Sequence, residues 1–303
     1  MAAPGAFSEL EPVVGRLLER HLANSKEWFP HELVPYSRGR DFEPGAQWQE
    51  ADSFVPLDDA VRSSLFVNLL TEDNLPYYSR DINCLFGRES SWGEWARRWT
   101  AEEGRHSTVI RDYLTVTRAV DPIALERGRM AQVTKGEVPA PETQWNGVAY
   151  LTMQELATRI AHRNTGKYLD DPVGYELMAR VAADENLHHL FYRDLASAAI
   201  ELDPSAMVIA IDHEVRTFAM PGTGIPDFDK HAQRIARAGI YDLAVHHEQI
   251  LMPVVVRQWK VDELTGLSAE AEVARDQLIG YLERTERVAA RVAARREQLA
   301  SLS

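Results

Sequence analysis

The chain has 303 residues, 45% of them apolar and 26% charged, a composition that can fill a sizeable core and excludes an intrinsically disordered chain. Acidic residues outnumber basic ones by 46 to 33, for a net charge of −13, which opposes non-specific binding to nucleic acid or anionic lipid. The lone cysteine, Cys84, can close no intramolecular disulfide and hold neither a four-cysteine zinc nor an iron–sulfur cluster, and it points to a reducing cytoplasm.

The N-terminal stretch MAAPGAFSELEP lacks both a basic run and an apolar segment of signal-peptide length, so a retained N-terminus is expected. No window approaches ~20 uninterrupted apolar residues, and no membrane span is expected. Residues 1–40 read as an irregular aromatic segment, with Trp28, Phe29 and Pro35, that packs onto the remainder. From residue 57 onward helix signals recur, while alternating β-branched runs bounded by Asn-Gly or Asp-Gly turns are nearly absent; the chain reads as all-α. Asp121-Pro122, Asp171-Pro172 and Asp203-Pro204 each set a capping carboxylate before a proline whose missing N–H costs nothing in a first turn. Ser91-Trp-Gly-Glu94 has the spacing of a capping box. Pro and Gly cluster near 40–56, 136–146 and 219–229. None of these breaks is long enough to be a flexible linker, so one helical domain is expected over 1–303. Residues 268–300, rich in Ala, Glu and Arg, read as an amphipathic terminal helix with a solvated face.

Two Glu-x-x-His pairs occur, Glu103/His106 and Glu185/His188. On the order of one such match is expected by chance, so the spacing alone is modest evidence. The stripe around each pair is more telling. Met178, Val181, Glu185, His188, Tyr192 and Leu195 follow steps of 3 and 4, as do Trp95, Trp99, Glu103, His106, Ile110 and Tyr113; the polar residues occupy core positions of bundle helices. A buried ionised carboxylate needs a partner or a metal. Two further helices each supply one inward glutamate: Val61, Leu65 and Leu69 lead to Glu72, and Val148 and Leu151 lead to Glu155. The order Glu, Glu-x-x-His, Glu, Glu-x-x-His is that of carboxylate-bridged di-iron and di-manganese bundles. Four carboxylates balance the +4 of two ferrous ions, with the imidazoles neutral. Mixed imidazole and carboxylate ligation suits two iron ions per subunit, with manganese as a substitute, better than tetrahedral zinc.

At these residues the sequence resembles the soluble acyl-acyl carrier protein desaturases, the di-iron enzymes typified by plant stearoyl desaturases. The likeness runs over nearly the whole chain, through TEDNLPYY (71–78), RRWTAEEGRH (97–106), QELAT (154–158), AADENLHH (182–189) and QWKVDELTGLSAE (258–270). The last stretch holds none of the six ligands. The resemblance implies a ferritin-like helical bundle with additional helices and Glu72, Glu103, His106, Glu155, Glu185 and His188 as iron ligands. It also implies a homodimer, O2 as oxidant, a ferredoxin-type electron donor, and a fatty-acyl chain carried on acyl carrier protein as substrate. It assigns Thr158 to proton steering, Trp28 with Asp184 to electron entry, and Cys84, Leu85, Gly147 and Val148 to the lining of the acyl channel. Structural roles compete for the first three: an anchor for Trp28, a hydroxyl bonded to its own turn for Thr158, and support of His106 for Asp184. Asp81, one turn before Leu85, departs from an apolar tunnel and would shorten it or demand a partner. Acyl carrier proteins are acidic, so docking on an acidic chain calls for a local basic patch, with Arg234 and Arg237 as candidates, or the run Arg287, Arg291, Arg295 and Arg296, for which a solvated helix face is the competing role. Two other readings share the ligand set. A radical-generating ribonucleotide reductase subunit would use a tyrosine such as Tyr113 or Tyr192; a ferritin-like store would need only about half this length and no 258–270 stretch.

Overall fold

The computed structural model describes residues 6–300 apart from 44, 56, 137, 221, 223, 224 and 226. Residues 1–5 and 301–303 and part of the 219–229 break lie outside the described residues, which form helices and connections without a β-strand. In chain order the helices are α1 (Glu11–Asn24), α2 (Pro30–Leu33), α3 (Asp59–Glu72), α4 (Leu75–Phe86), α5 (Ser90–Val116) and α6 (Pro122–Lys135). They continue as α7 (Gln144–Tyr168), α8 (Pro172–Leu202), α9 (Pro204–Thr217), α10 (Phe228–Ala238), α11 (Leu243–His246) and α12 (Ala269–Ala300). This is the all-α architecture expected, with α3, α5, α7 and α8 as the bundle that carries the ligand candidates and the others packed around it.

The three Asp-Pro starts cap as expected. Asp121 accepts from the Ile123 N–H, Asp171 from Gly174 and Asp203 from Ala206, at 2.9–3.0 Å. The capping box at 91–94 is corrected. Helix α5 starts at Ser90, two residues before the Trp92 start that a Ser91 cap would give, with Ser90 at φ 59°, and its cap comes from another helix: Glu11 of α1 accepts from the Ser91 N–H at 2.9 Å and from the Ser90 hydroxyl at 2.7 Å. Gly93 permits this tight entry, because a Cβ there would lie 1.9 Å from the Arg88 carbonyl oxygen. The irregular reading of residues 1–40 is also corrected in part. Residues 11–24 form α1, which buries Val14, Leu17, Leu18 and His21 on one narrow face; a valine, two leucines and a histidine among charged neighbours make a weak apolar stripe, legible only once a partner surface covers it. One helix was not marked by periodicity at all: His247–Gln258 is a π-type helix with Pro253 inside it.

The apolar interior falls into two clusters. Along α5, Trp95 and Trp99 belong to one and Val109 and Ile110 to the other; along α8 the order is reversed, with Met178 and Val181 before Phe191 and Leu195. The two helices therefore run antiparallel, and the residues between those stretches, 102–106 and 184–188, form a polar layer enclosed on both sides by hydrocarbon.

Candidate metal centre

Six side chains meet in this layer. Their donor atoms form two overlapping sets, Glu72, Glu103, His106 and Glu185, and Glu103, Glu155, Glu185 and His188, within each of which all atoms lie within 4.8 Å of one another. Glu103 and Glu185 belong to both. Each helix delivers its groups by the same device, an apolar run that reaches the layer at a polar residue: Val61, Leu65 and Leu69 bury α3 up to Glu72, and Val148 and Leu151 bury α7 up to Glu155. All six ligand candidates are buried. His106 Nδ1 stands 3.3 Å from Glu103, 3.5 Å from Glu185 and 3.8 Å from Glu72. His188 Nδ1 stands 2.8 Å from Glu103, 3.6 Å from Glu155 and 3.9 Å from Glu185.

The donor set fits a pair of divalent cations. Glu103 Oε1, Glu155 Oε2, Glu185 Oε2 and both Nδ1 atoms are buried without a hydrogen-bond partner, whereas buried polar atoms are ordinarily satisfied. Electrostatics agrees. Burial and then the charge of Glu185 push the Glu103 carboxyl upward and Glu155 well upward, while Glu185 is held well below its usual range, against burial, by hydrogen bonds from His106, His162 and His188. Four carboxylates cannot all stay ionised side by side without compensating positive charge, and oxygen-rich donors with two imidazoles suit iron or manganese.

A second ring of residues, of which the sequence singles out only Asp184, Trp28 and Trp99, orients the first. Glu102 Oε2 lies 2.9 Å from both His188 Nε2 and His21 Nε2, and Arg98 Nε donates to its Oε1 at 2.7 Å. An ionised carboxylate only accepts, so His188 must carry a proton on Nε2, which leaves Nδ1, 2.8 Å from Glu103, as the nitrogen that would hold a metal. Hydrogen bonds from His188 and His21 overcome burial and hold Glu102 well below the usual carboxylate range. On the opposite side Asp184 lies 3.6 Å from His106 Nε2, accepts from Trp28 Nε1 at 2.8 Å and from Arg105 Nη2 at 3.1 Å, and pairs with Arg180. His162 Nε2 meets Glu72 Oε1 at 2.9 Å, and Trp99 Nε1 donates to Glu155 Oε1 at 3.0 Å. The signals were present but weak: Glu102 precedes a ligand and His162 follows Glu155 by two helical turns.

The other sequence candidates are placed as follows. Trp28 is buried, with the Arg105 guanidinium 4.8 Å from its ring centroid and His106 stacked at 6.4 Å. The Thr158 hydroxyl donates to the carbonyls of Gln154 and Glu155 in its own helix, at 3.2 and 3.1 Å. Leu85 lines a narrow cleft between α4 and α7 that Trp99 and Gln154 also line, of about 30 Å³. Gly147 lets α7 approach α4, since a Cβ there would stand 3.0 Å from Leu85 Cδ1. Val148 is fully buried, and Cys84 is exposed at the surface. No helix among the described residues is long and apolar enough to cross a membrane.

Residues 5–302 match the family model described as fatty acid desaturase. DesA1 of Mycobacterium tuberculosis, named as an acyl-[acyl-carrier-protein] desaturase, is 42% identical over 280 residues, spanning 89% of this chain and 82% of its own. The chloroplastic stearoyl-[acyl-carrier-protein] 9-desaturase of Spinacia oleracea is 28% identical over 316 residues, 98% of this chain and 78% of its own. Among solved structures, that of DesA2 from the same mycobacterium superposes with a TM-score of 0.72 at 26% identity, covering 89% of this chain and 99% of that one.

Proposed function

The chain belongs to the fatty acid desaturase family, and we propose on that premise that it desaturates a fatty-acyl chain borne on acyl carrier protein, using a pair of irons held by Glu72, Glu103, His106, Glu155, Glu185 and His188. The observation that carries this reading is the overlap of the two buried donor sets at Glu103 and Glu185, carboxylates suited to bridging two ions. The bound pair would supply reductive activation of O2 and removal of hydrogen from two adjacent methylenes. One O2, two electrons and two protons enter with the saturated chain, and an alkene and two waters leave.

The protein's own part is positioning and exclusion of water. Glu102 sets the tautomer of His188, His162 and Trp99 restrain Glu72 and Glu155, and the two apolar clusters close over the layer. We assign Trp28 and Asp184 to the path of electrons from a ferredoxin-type donor and the Thr158 hydroxyl to proton handling. Leu85, Gly147 and Val148 belong to the acyl channel in this reading, with Cys84 at its surface margin, and a homodimer in the cytoplasm is its assembly and setting. Docking of an acidic carrier falls to a local basic patch at Arg234 and Arg237 on α10, or to the run Arg287, Arg291 and Arg295 on α12; the cleft that Arg234 shares with Arg62 and His231 also holds Asp59 and Asp121, and Arg62 is already paired with Asp59 and Glu50.

The deciding experiment combines metal analysis with mass spectrometry of acyl-carrier-protein substrates after incubation with reduced ferredoxin and O2. Two irons per chain and a product two mass units lighter are expected. Multi-iron loading without such a product would favour storage, and a tyrosyl radical signal a reductase subunit.

A further inference from the structure

Asp81 stands out in the cleft between α4 and α7. With Tyr78, Ile82 and Leu85 it forms one face of α4, and the cleft they line is closed by Pro139 and Pro141 and by Tyr150 and Leu151 of α7. Its inner wall includes Trp99, which donates to Glu155, and Gln154, which precedes Glu155 in the chain; the cleft therefore adjoins the metal layer. Among these lining residues Asp81 is the only ionisable acid. Its Oδ1 accepts from Arg80 Nε at 2.7 Å, whereas Oδ2 is shielded from solvent and has no hydrogen-bond partner. A shielded carboxylate oxygen is destabilised until a donor reaches it.

We propose that Asp81 is a specificity-determining residue: as substrate parts α4 from α7 and widens this cleft beyond its present volume of about 30 Å³, Oδ2 accepts a hydrogen bond from an N–H or O–H group of the substrate while the apolar part of the chain lies along Ile82, Leu85 and Leu151. The inference rests on the desaturase reading. The donor has two chemical sources: a hydroxyl on the acyl chain, or an amide N–H of the carrier's prosthetic arm close to the thioester. A wholly apolar segment set against Asp81 would leave Oδ2 unsatisfied, so the cleft discriminates between substrates by the position of a polar group and not by length alone.

The test is calorimetric binding to the full chain, independent of turnover. The probes are stearoyl-carrier protein, a series of hydroxystearoyl-carrier proteins with the hydroxyl walked along the chain, and free stearate. Wild type is compared with Asp81→Leu and Asp81→Asn, each checked for unchanged melting. If the acyl hydroxyl is the donor, Asp81→Leu weakens particular positional isomers about tenfold and spares stearoyl-carrier protein, the scale of one hydrogen bond. If the arm's amide is the donor, every carrier-borne chain weakens about tenfold and free stearate does not. Asp81→Asn, which keeps an acceptor oxygen, is expected to retain binding in either case. Should Asp81→Leu bind every probe as tightly as wild type, the proposal is overturned while the desaturase reading stands. Failure of wild type to bind any carrier-borne chain overturns both.

Discussion

Glu102→Leu separates the two halves of the metal layer. The wild-type carboxylate accepts from His188 and His21, both at 2.9 Å, and from Arg98. Leucine is close in volume and accepts nothing. Arg98, with 37% of its side chain exposed, can turn to water, but the two buried imidazoles cannot. Each unpaired buried donor costs about 1–3 kcal/mol, so the metal-free chain should lose about 3 kcal/mol. With an unfolding entropy near 2.1 cal/mol/K for each of 303 residues, that is a fall in Tm of about 5 °C. The second effect is on tautomer. Without an acceptor at Nε2, the neutral His188 ring can keep its proton on Nδ1, the nitrogen that would hold the metal beside Glu103 and Glu155. Loss of such outer partners ordinarily weakens metal binding about 10–100-fold, or about 1.4–2.8 kcal/mol. The weakening should fall on the ion held with His188 and spare the one held with His106, whose outer partner is Asp184. Chelator-buffered titration with ferrous iron should show one tight and one weakened site. Two unchanged sites, or two equally weakened ones, would refute the orientation argument.

Glu185→Ala and His188→Ala should each abolish two-metal occupancy by elemental analysis while far-UV circular dichroism stays near wild type; retained desaturation by either variant contradicts the ligand assignment. Asp171 caps α8 at Gly174 and also receives the Tyr113 hydroxyl at 3.0 Å, so Asp171→Ala should cost about 2–3 kcal/mol and lower Tm by about 3–5 °C in calorimetry, more than Asp121→Ala, which loses a cap alone. Burial, then the neighbouring His247, depress His246 from 6.5 to about 4. The folded chain then binds fewer protons than the unfolded one between those values, and the stability held above pH 6.5 is lost as pH falls toward 4, by about 2 kcal/mol at pH 5. Urea unfolding of the metal-free chain at pH 7 and 5 should show this difference shrinking in His246→Gln. Carrier binding should weaken as ionic strength rises, and more steeply in wild type than in Arg234→Ala; a salt-independent Kd in wild type speaks against the basic patch.

The parts of this protein that the sequence determined by itself are those set by local rules. Helical class followed from periodicity, three helix starts from Asp-Pro pairs whose carboxylates bond amides two or three residues on, and the six ligand candidates from polar residues standing in apolar stripes. All of these depend on neighbours within about two turns of chain. The α5 start failed for the same reason, since its cap comes from Glu11, far away in sequence.

What only the tertiary structure decided is which groups face each other across helices. Glu103 and Glu185 fall in both donor sets because α5 and α8 cross the polar layer in opposite senses. The outer ring of Glu102, His21 and His162 has no periodic signature, and its members acquire meaning only when partners distant in sequence come within 3 Å. Asp81 is the sharpest instance: the sequence marks it as a departure from an apolar tunnel, but which of its oxygens lacks a partner is settled only by the cleft that α4 and α7 form. Periodicity reports which face of a helix is buried, whereas hydrogen bonding depends on what covers that face, and that is settled when the helices pack.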